Sequence, residues 1–348
     1  MLWSAKLASI GLMAAVVLGS PLAGALGEPL SPAVRIKVNA AGIVGEGGLF
    51  LALENGYFAK EGIELEIVPA AAANSGMDTV AQLASGELQL ATLAPGAGLF
   101  NALARKVGIT GIFALNTITR TDKSIGVIVR SDLITSGRYS GLQDLKGLKI
   151  AVLTRGGNGH FIVQRAAEKG GLKASDLDLT TMSFPDAIAA LSTKAIEAAF
   201  EPEPFITIAE ERGIAKRVVS GSDASIGTPT IMLYGNAKFI NQNREPVTRF
   251  VVALLMGQRD YYNAVAKGQN VDELYAVLQK RTQLKDLAML RKINLPTVDP
   301  NGRVDAEAVA DLQRFFKEVG SLQRQLELAE YIDQAFLEEA LKRIGRVE

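Results

Sequence analysis

Cysteine is absent from the chain. That excludes disulfides, thiolate catalysis, Cys-ligated metals and a lipid-bearing cysteine at a processing site. Histidine occurs once, at His160, so a His-rich metal centre and an H-E-x-x-H motif are both excluded. Aromatic residues are sparse at 6%, too few for a base-stacking platform. Neither sign of charge is in excess, with 37 Lys plus Arg against 37 Asp plus Glu. With no basic run in that balance, nucleic acid is not an expected partner. Beyond the N-terminus there is no apolar stretch of the ~20 residues a bilayer-spanning helix needs.

What is present begins with a targeting pattern. Met1 to Lys6 carries a positive charge, Leu7 to Leu18 is an apolar run, and Ser20-Pro21 breaks it. Ala23-Gly-Ala25 then fits a small-residue cleavage site. A signal peptide cleaved after Ala25 is expected, the alternative being an uncleaved N-terminal anchor. An exported chain with neither disulfides nor a lipid anchor reads as a periplasmic protein. The 348 residues, 48% of them apolar, suffice for two domains with a sizeable core.

Part of the chain is written twice. Asp78 to Thr92 is echoed by Asp186 to Phe200: an Asp at an expected helix N-cap, an apolar helical face, then a short apolar strand. Two copies of one α/β unit imply two similar lobes with a cleft between them. Strands are expected at 34–38, 63–68, 87–92, 109–116, 124–129, 145–152, 178–182, 195–200 and 218–219, with a return strand at 230–234. Helices fall between them, including one unbroken helix over 49–60, and 131–139 is expected as a polar loop. From Asn236 onward the pattern is helical. Alternating strands and helices predict parallel sheets covered by helices on both faces. The expected fold is α/β, two lobes around a cleft. Residues 26–120 plus 228–348 form lobe 1 with the helical C-terminal tail, and 121–227 form lobe 2.

In such sheets ligands bind outside the carboxyl ends of strands. The loops there are rich in Gly, Ala, Ser, Thr and Asn, which offer backbone N–H groups and small hydroxyls. The candidate ligand-binding residues in lobe 1 are Gly42, Val44, Asn74, Ser75, Gly76, Pro95, Gly96, Asn116 and Thr117. In lobe 2 and its return crossover they are Arg155, Asn158, His160, Glu201 and Thr228. Each has a plainer reading. The glycines of 41–48 and 156–159 match neither G-x-G-x-x-G nor a P-loop, so they can be tight turns, and no cofactor is expected. Asn74 and Ser75 can be only a helix cap. His160 can be a hydrogen-bonded loop or helix-start residue, and Glu201 with Glu203 can be charged loop surface. Arg155 and Arg120 are the cations nearest the expected cleft, with a surface role as the default. No motif requires a nucleophile or a metal.

Several segments carry a resemblance. Gly56-Tyr-Phe-Ala-Lys-Glu-Gly-Ile63, Asn74-Ser-Gly76 and Ala84-Ser-Gly-Glu87 resemble the substrate-binding proteins of ABC importers for nitrate, sulfonates, taurine and thiamine precursors. Leu142-Gln-Asp-Leu-Lys-Gly147, Ala189-Ala-Leu191 and Ala198-Ala-Phe-Glu-Pro202 extend it, so that it covers Val34 to Gly235 well and the tail loosely. The resemblance implies a type II-like periplasmic binding fold, a hinge, and delivery of ligand to a membrane permease driven by an ATPase. It implies ligand contacts from 74–76, from Pro95 and Gly96, and from the loops at Gly42 and Thr154. The family usually has Asp where Gln89 stands, a strand position that alters local hydrogen bonding more than ligand choice. A related branch makes the thiamine pyrimidine with a Cys-rich motif that this chain lacks.

The leading expectation is a monomeric solute-binding protein that closes on a small organic anion, a sulfonate or an aromatic or aliphatic carboxylate. Its hinges would lie near 119–124 and 220–230. The alternatives are an enzyme on the same fold with His160 or Glu201 as general base, and an extracytoplasmic sensor subunit.

Overall fold

The computed structural model describes residues 28–69 and 76–348. The signal segment with its cleavage point after Ala25, and the candidates Asn74 and Ser75, lie outside the described residues.

Val34, Ile36 and Val38 alternate with Arg35 and Lys37, and this period of two gives the first strand its buried and solvent faces. The strands are β1 (Val34–Ala40), β2 (Ile63–Pro69), β3 (Leu90–Leu93), β4 (Ile109–Thr117), β5 (Ile125–Arg130), β6 (Lys149–Val152), β7 (Asp178–Thr181), β8 (Ala198–Pro202), β9 (Ala215–Ser220) and β10 (Pro229–Asn236). They form two five-stranded sheets, ordered β2-β1-β3-β10-β4 and β7-β6-β8-β5-β9. Within each sheet one strand runs against its neighbours, β10 in the first and β5 in the second. Each is the strand that has just crossed from the other sheet, through 118–124 or 221–228. The sheets are therefore wound alike, and β3 and β8, the strands of the repeat, hold the same third place in each.

The helices of the two lobes are α1 (Gly47–Glu54), α2 (Tyr57–Lys60), α3 (Met77–Ser85), α4 (Ala97–Ala104), α5 (Ser131–Thr135), α6 (Asn158–Lys169), α7 (Phe184–Ser192), α8 (Phe205–Glu211) and α9 (Gly221–Ala224). The tail adds α10 (Ala237–Gln242), α11 (Arg244–Lys267), α12 (Val271–Arg281), α13 (Leu287–Lys292), α14 (Ala306–Glu318), α15 (Leu328–Tyr331) and α16 (Ala335–Ile344). Three expectations need correction. The helix expected over 49–60 breaks at Gly56, whose φ of 69° opens a turn between α1 and α2. The expected loop at 131–139 begins with α5. Neither Asp of the repeat is an N-cap. Gly76 caps α3, and the Ser183 hydroxyl accepts the Asp186 N–H at the start of α7.

The tail packs on both lobes and closes a sheet edge. The open side of β4 is bonded by tail backbone: Ala114 N–H to the Gly302 carbonyl, Thr117 N–H to the Thr297 carbonyl, and Asp333 N–H to the Gly111 carbonyl. This removes an exposed strand edge. α11 is buried against α1 and α16 in one core. A second core runs continuously from lobe 1 through α14 into lobe 2, with Phe100, Phe161, Phe315 and Phe316 among its members.

Candidate functional site

The glycine-rich loop after β1 is organised by an acid. The Glu46 carboxylate accepts from the N–H groups of Ala41 (2.9 Å), Gly42 (2.8 Å) and Ile43 (3.2 Å). The Thr92 hydroxyl at the end of β3 donates to it at 2.5 Å. Glu46 is buried, and that burial raises its pKa against the opposing pull of these bonds. The Gly42 amide is thus already engaged, and Val44 is buried in the short helix that follows.

Gly45 lies against Asn116. A Cβ there would come within 2.9 Å of both Asn116 Oδ1 and Ile231 Cδ1. Both are side-chain tips that can retreat, so Gly45→Ala is expected to fold but to lose about 1–3 kcal/mol through overpacking. Urea denaturation checks this, and unchanged stability would mean the tips move freely.

Asn116 and Thr117 end β4. Neither amide atom of Asn116 has a partner, nor does the Thr117 hydroxyl, although all are buried. The Asn39 Oδ1 at the end of β1 is in the same state. Gly96 caps α4, and nothing stands within 4 Å of where its side chain would be. Pro95 precedes it in the same loop. Gly76, with φ of 75°, opens α3 beside Leu93. The Ala97 N–H donates to the Gly156 carbonyl of lobe 2 at 3.4 Å, so the lobes touch at this end of the cleft.

In lobe 2 the candidates divide. Arg155 is exposed and donates to the Leu179 carbonyl of the edge strand β7, so its guanidinium is already engaged. Asn158 opens α6, and its Oδ1 is buried without a partner. His160 is the third residue of α6, the helix-start position of the two expected. Its Nδ1 accepts the Gly156 N–H at 3.1 Å, and its ring meets Phe315 edge-on at 4.9 Å. Burial, with a smaller contribution from Arg155, pushes its pKa down to about 4. A neutral imidazole so engaged is a structural fastener and a poor base.

The two carboxylates after β8 also separate. Glu203 Oε2 accepts the Thr207 N–H at the start of α8, and Oε1 accepts the Asn294 backbone and side-chain N–H groups at 3.3 and 3.0 Å. Glu201, two residues earlier, is fully buried and neither oxygen has a partner. Burial alone pushes its pKa up to about 9. The pair is not charged loop surface.

Thr228 lies in the second crossover, between β9 and β10. Its carbonyl accepts the Ile118 N–H at 3.0 Å, and its hydroxyl lies 2.7 Å from the Ser225 hydroxyl. Beside it, Asp122 accepts from Ser124 with one oxygen and from the Thr297 N–H (3.0 Å) and hydroxyl (2.8 Å) with the other. Sequence reasoning missed Glu46, Asn39, Asp122, Asn294 and Thr297. Only Glu46 carried a signal, an acid inside a glycine loop just before a helix. Gln89 stands one residue before β3 and not within the strand as expected, and its Oε1 accepts the Lys37 N–H.

Comparisons with known proteins agree with this geometry. A family model described as NMT1/THI5 like matches residues 46–264. Proteins of Brucella abortus and Brucella suis, provisionally described as binding proteins, are 26% identical over 268 residues, 76% of this chain and 75% of theirs. The periplasmic aliphatic sulphonate binding protein SsuA from Escherichia coli superposes with a TM-score of 0.67 at 19% identity, covering 92% of this chain and 94% of its own. The periplasmic nitrate-binding protein NrtA from Synechocystis gives 0.66 at 15%, covering 92% and 90%. The desulfurization enzyme DSZB gives 0.61 at 17%, covering 89% and 99%. These likenesses give the chain the periplasmic binding-protein fold. Among the described residues no helix is long and apolar enough to cross a membrane.

Proposed function

Because the chain belongs to the NMT1/THI5-like family, we propose that it is the periplasmic solute-binding component of an ABC importer. It acts as a monomer, captures a small organic solute between two lobes, and delivers it to a membrane permease and its ATPase. The lobes are 26–120 plus 228–348, and 121–227. The observation that carries this is the set of unpartnered buried polar atoms near the carboxyl ends of β1, β4 and β8 and at the start of α6, on Asn39, Asn116, Thr117, Glu201 and Asn158. Buried polar groups are normally paired, and a ligand is the missing partner.

The sulphonate and nitrate binders among its structural neighbours support an acid group on the solute, a sulfonate or carboxylate. With Arg155 engaged by the Leu179 carbonyl, the N-terminal amides of α6, and those of α4 beyond Ala97, are what would hold it. Ligand contacts are assigned to Gly76, Pro95, Gly96, Asn116, Thr117, Asn158 and Glu201, with Asn74 and Ser75. Gly42, Val44, His160 and Thr228 support the site from behind. The hinges are 118–124 and 221–228, and their mutual hydrogen bonds make them a pivot.

A thermal-shift screen of small organic acids tests this. A solute at a hundred times its Kd stabilises the folded state by about 2.7 kcal/mol. A rise in melting temperature of several degrees with a subset of solutes is expected, and each should be recovered unchanged. No shift with any solute counts against the reading, and conversion of a bound solute replaces it with an enzyme.

A further inference from the structure

Resting on the hinged two-lobe reading, we propose that tail residues 292–297 act as a third connection across the hinge, a latch that holds the lobes together when no solute is bound. The crossovers 118–124 and 221–228 are bonded to each other, Ile118 N–H to the Thr228 carbonyl and Gly227 N–H to the Ile118 carbonyl. Thr297 of the tail is built into that pair. Its N–H and its hydroxyl both reach one carboxylate oxygen of Asp122, at 3.0 and 2.8 Å. The hydroxyl also lies 2.9 Å from the Thr117 carbonyl and accepts the Thr119 N–H at 3.2 Å. The Thr297 carbonyl accepts the Thr117 N–H at 3.3 Å. Asp122 is 3% exposed, and its own carbonyl accepts the Ser222 N–H of the second crossover. One tail residue thus engages the first crossover directly and the second through Asp122.

Three residues earlier the same segment reaches lobe 2 itself. Asn294 donates from its backbone and its side chain to Glu203 Oε1, at 3.3 and 3.0 Å. Glu203 is buried and Asn294 half-buried, which shields these bonds from competing water. The nearby pair of Lys292 with Glu211 on α8 is exposed and adds little. Lobe 2 thus sets two buried carboxylates, Asp122 and Glu203, on a segment that belongs to lobe 1. Rotation of lobe 2 about the crossovers must break these bonds or drag the tail along. The tail is fastened to lobe 1 by the bonds of Thr297 to Thr117 and of Gly302 to Ala114, so dragging it breaks others. The arrangement being held is a closed one. The Ala97 N–H of lobe 1 meets the Gly156 carbonyl of lobe 2, and Asn116 and Glu201 at the strand ends are 1% and 0% exposed. Every contact of the latch is between protein groups, so none depends on a solute. Where the closed state is already populated, the apparent affinity for a solute approaches the intrinsic one.

The test is a distance measurement between the lobes of the full chain without solute. The chain has no cysteine, so two introduced ones are the only sites for spin labels. Glu64→Cys on β2 and Asp178→Cys on β7 put the labels at exposed positions on the sheet edges farthest from the crossing strands, where lobe rotation displaces them most. Pulsed dipolar spectroscopy is expected to show a short distance predominating in the otherwise unaltered chain. Asn294→Ala combined with Thr297→Val should lower the ratio of short to long distances about ten- to a hundredfold, as for lost hydrogen bonds to charged groups. Thr297→Ser keeps the hydroxyl and should keep the unaltered distribution. Asn294→Ala alone should shift it part of the way, which guards against a double variant that does not fold. A long distance predominating before the latch is altered overturns the proposal. So does an unchanged distribution in both the single and the double variant, or the full shift in Thr297→Ser. Because no solute enters the measurement, these failures leave the binding-protein reading to the thermal-shift screen, and a failed screen leaves the distances unaffected.

Discussion

Glu201→Gln is expected to gain stability over the parent as pH rises, by about 3 kcal/mol between pH 4.5 and pH 7. In the folded chain burial pushes the Glu201 pKa from 4.5 up to about 9. The unfolded chain releases this proton near its ordinary pKa, so between the two values folding must take a proton up. The folded value is raised, so the contribution to stability is fully present below pH 4.5 and is lost as pH climbs toward 9. Each pH unit in that window costs about 1.4 kcal/mol. Gln does not titrate, and whatever its amide gains or loses in the same place is independent of pH. The readout is therefore the difference in slope of unfolding free energy against pH, from urea titrations of both proteins at pH 5, 6, 7 and 8. Parallel slopes would mean that Glu201 is ionised in the fold and finds a partner or water there.

His160 pulls in the opposite direction. Its folded pKa is lowered from 6.5 to about 4, mainly by burial, so its contribution is present above pH 6.5 and is lost as pH falls. Between about 4.5 and 6.5 the two slopes are equal and opposite. From these two groups the parent should show a plateau there and a decline above it. In Glu201→Gln the plateau becomes a rise toward pH 6.5, because only the histidine remains.

The repeat was legible because a helical apolar face and a short buried strand are local patterns, and α3-β3 and α7-β8 do occupy equivalent places. Cap positions within it were not legible. Asp186 looks like an N-cap by residue type, but Ser183 supplies the capping oxygen three residues earlier. The glycine loops were visible and their purpose was not. Whether the Gly42 amide is free depends on Glu46, and the place of Glu46 depends in turn on Thr92, which only the folded sheet brings near. Arg155 and His160 show the same limit. Both sit in the right stretch of sequence, yet their directions are decided by Leu179, Gly156 and Phe315. Asn116 and Glu201 were chosen as candidates from loop position alone. The property that distinguishes them, burial without a partner, is tertiary.

Phe315→Ala is expected to cost about 3–5 kcal/mol, the range for removing a buried aromatic from a core that cannot collapse to fill the space. Phe315 is 1% exposed and sits on α14 between the lobes. It meets the His160 ring edge-on and the Phe161 ring at 5.4 Å, both on α6 of lobe 2. Its neighbour Phe316 lies 6.3 Å from Phe100 on α4 of lobe 1. Asp311, a turn earlier on α14, holds Arg165 of α6 through both guanidinium arms at 2.9 and 3.2 Å. One helix of the tail thus grips both lobes, through adjacent aromatic side chains pointing to different partners. Truncating Phe315 removes the lobe 2 half of that grip, while Arg165 with Asp311, a partly exposed pair worth no more than about 1 kcal/mol, cannot replace it. The loss should therefore fall on the whole chain's unfolding, seen as a lower urea midpoint. Phe315→Leu, which keeps most of the volume, should cost less than about half as much. A loss below about 1 kcal/mol for Phe315→Ala would show that α14 follows the lobes without holding them.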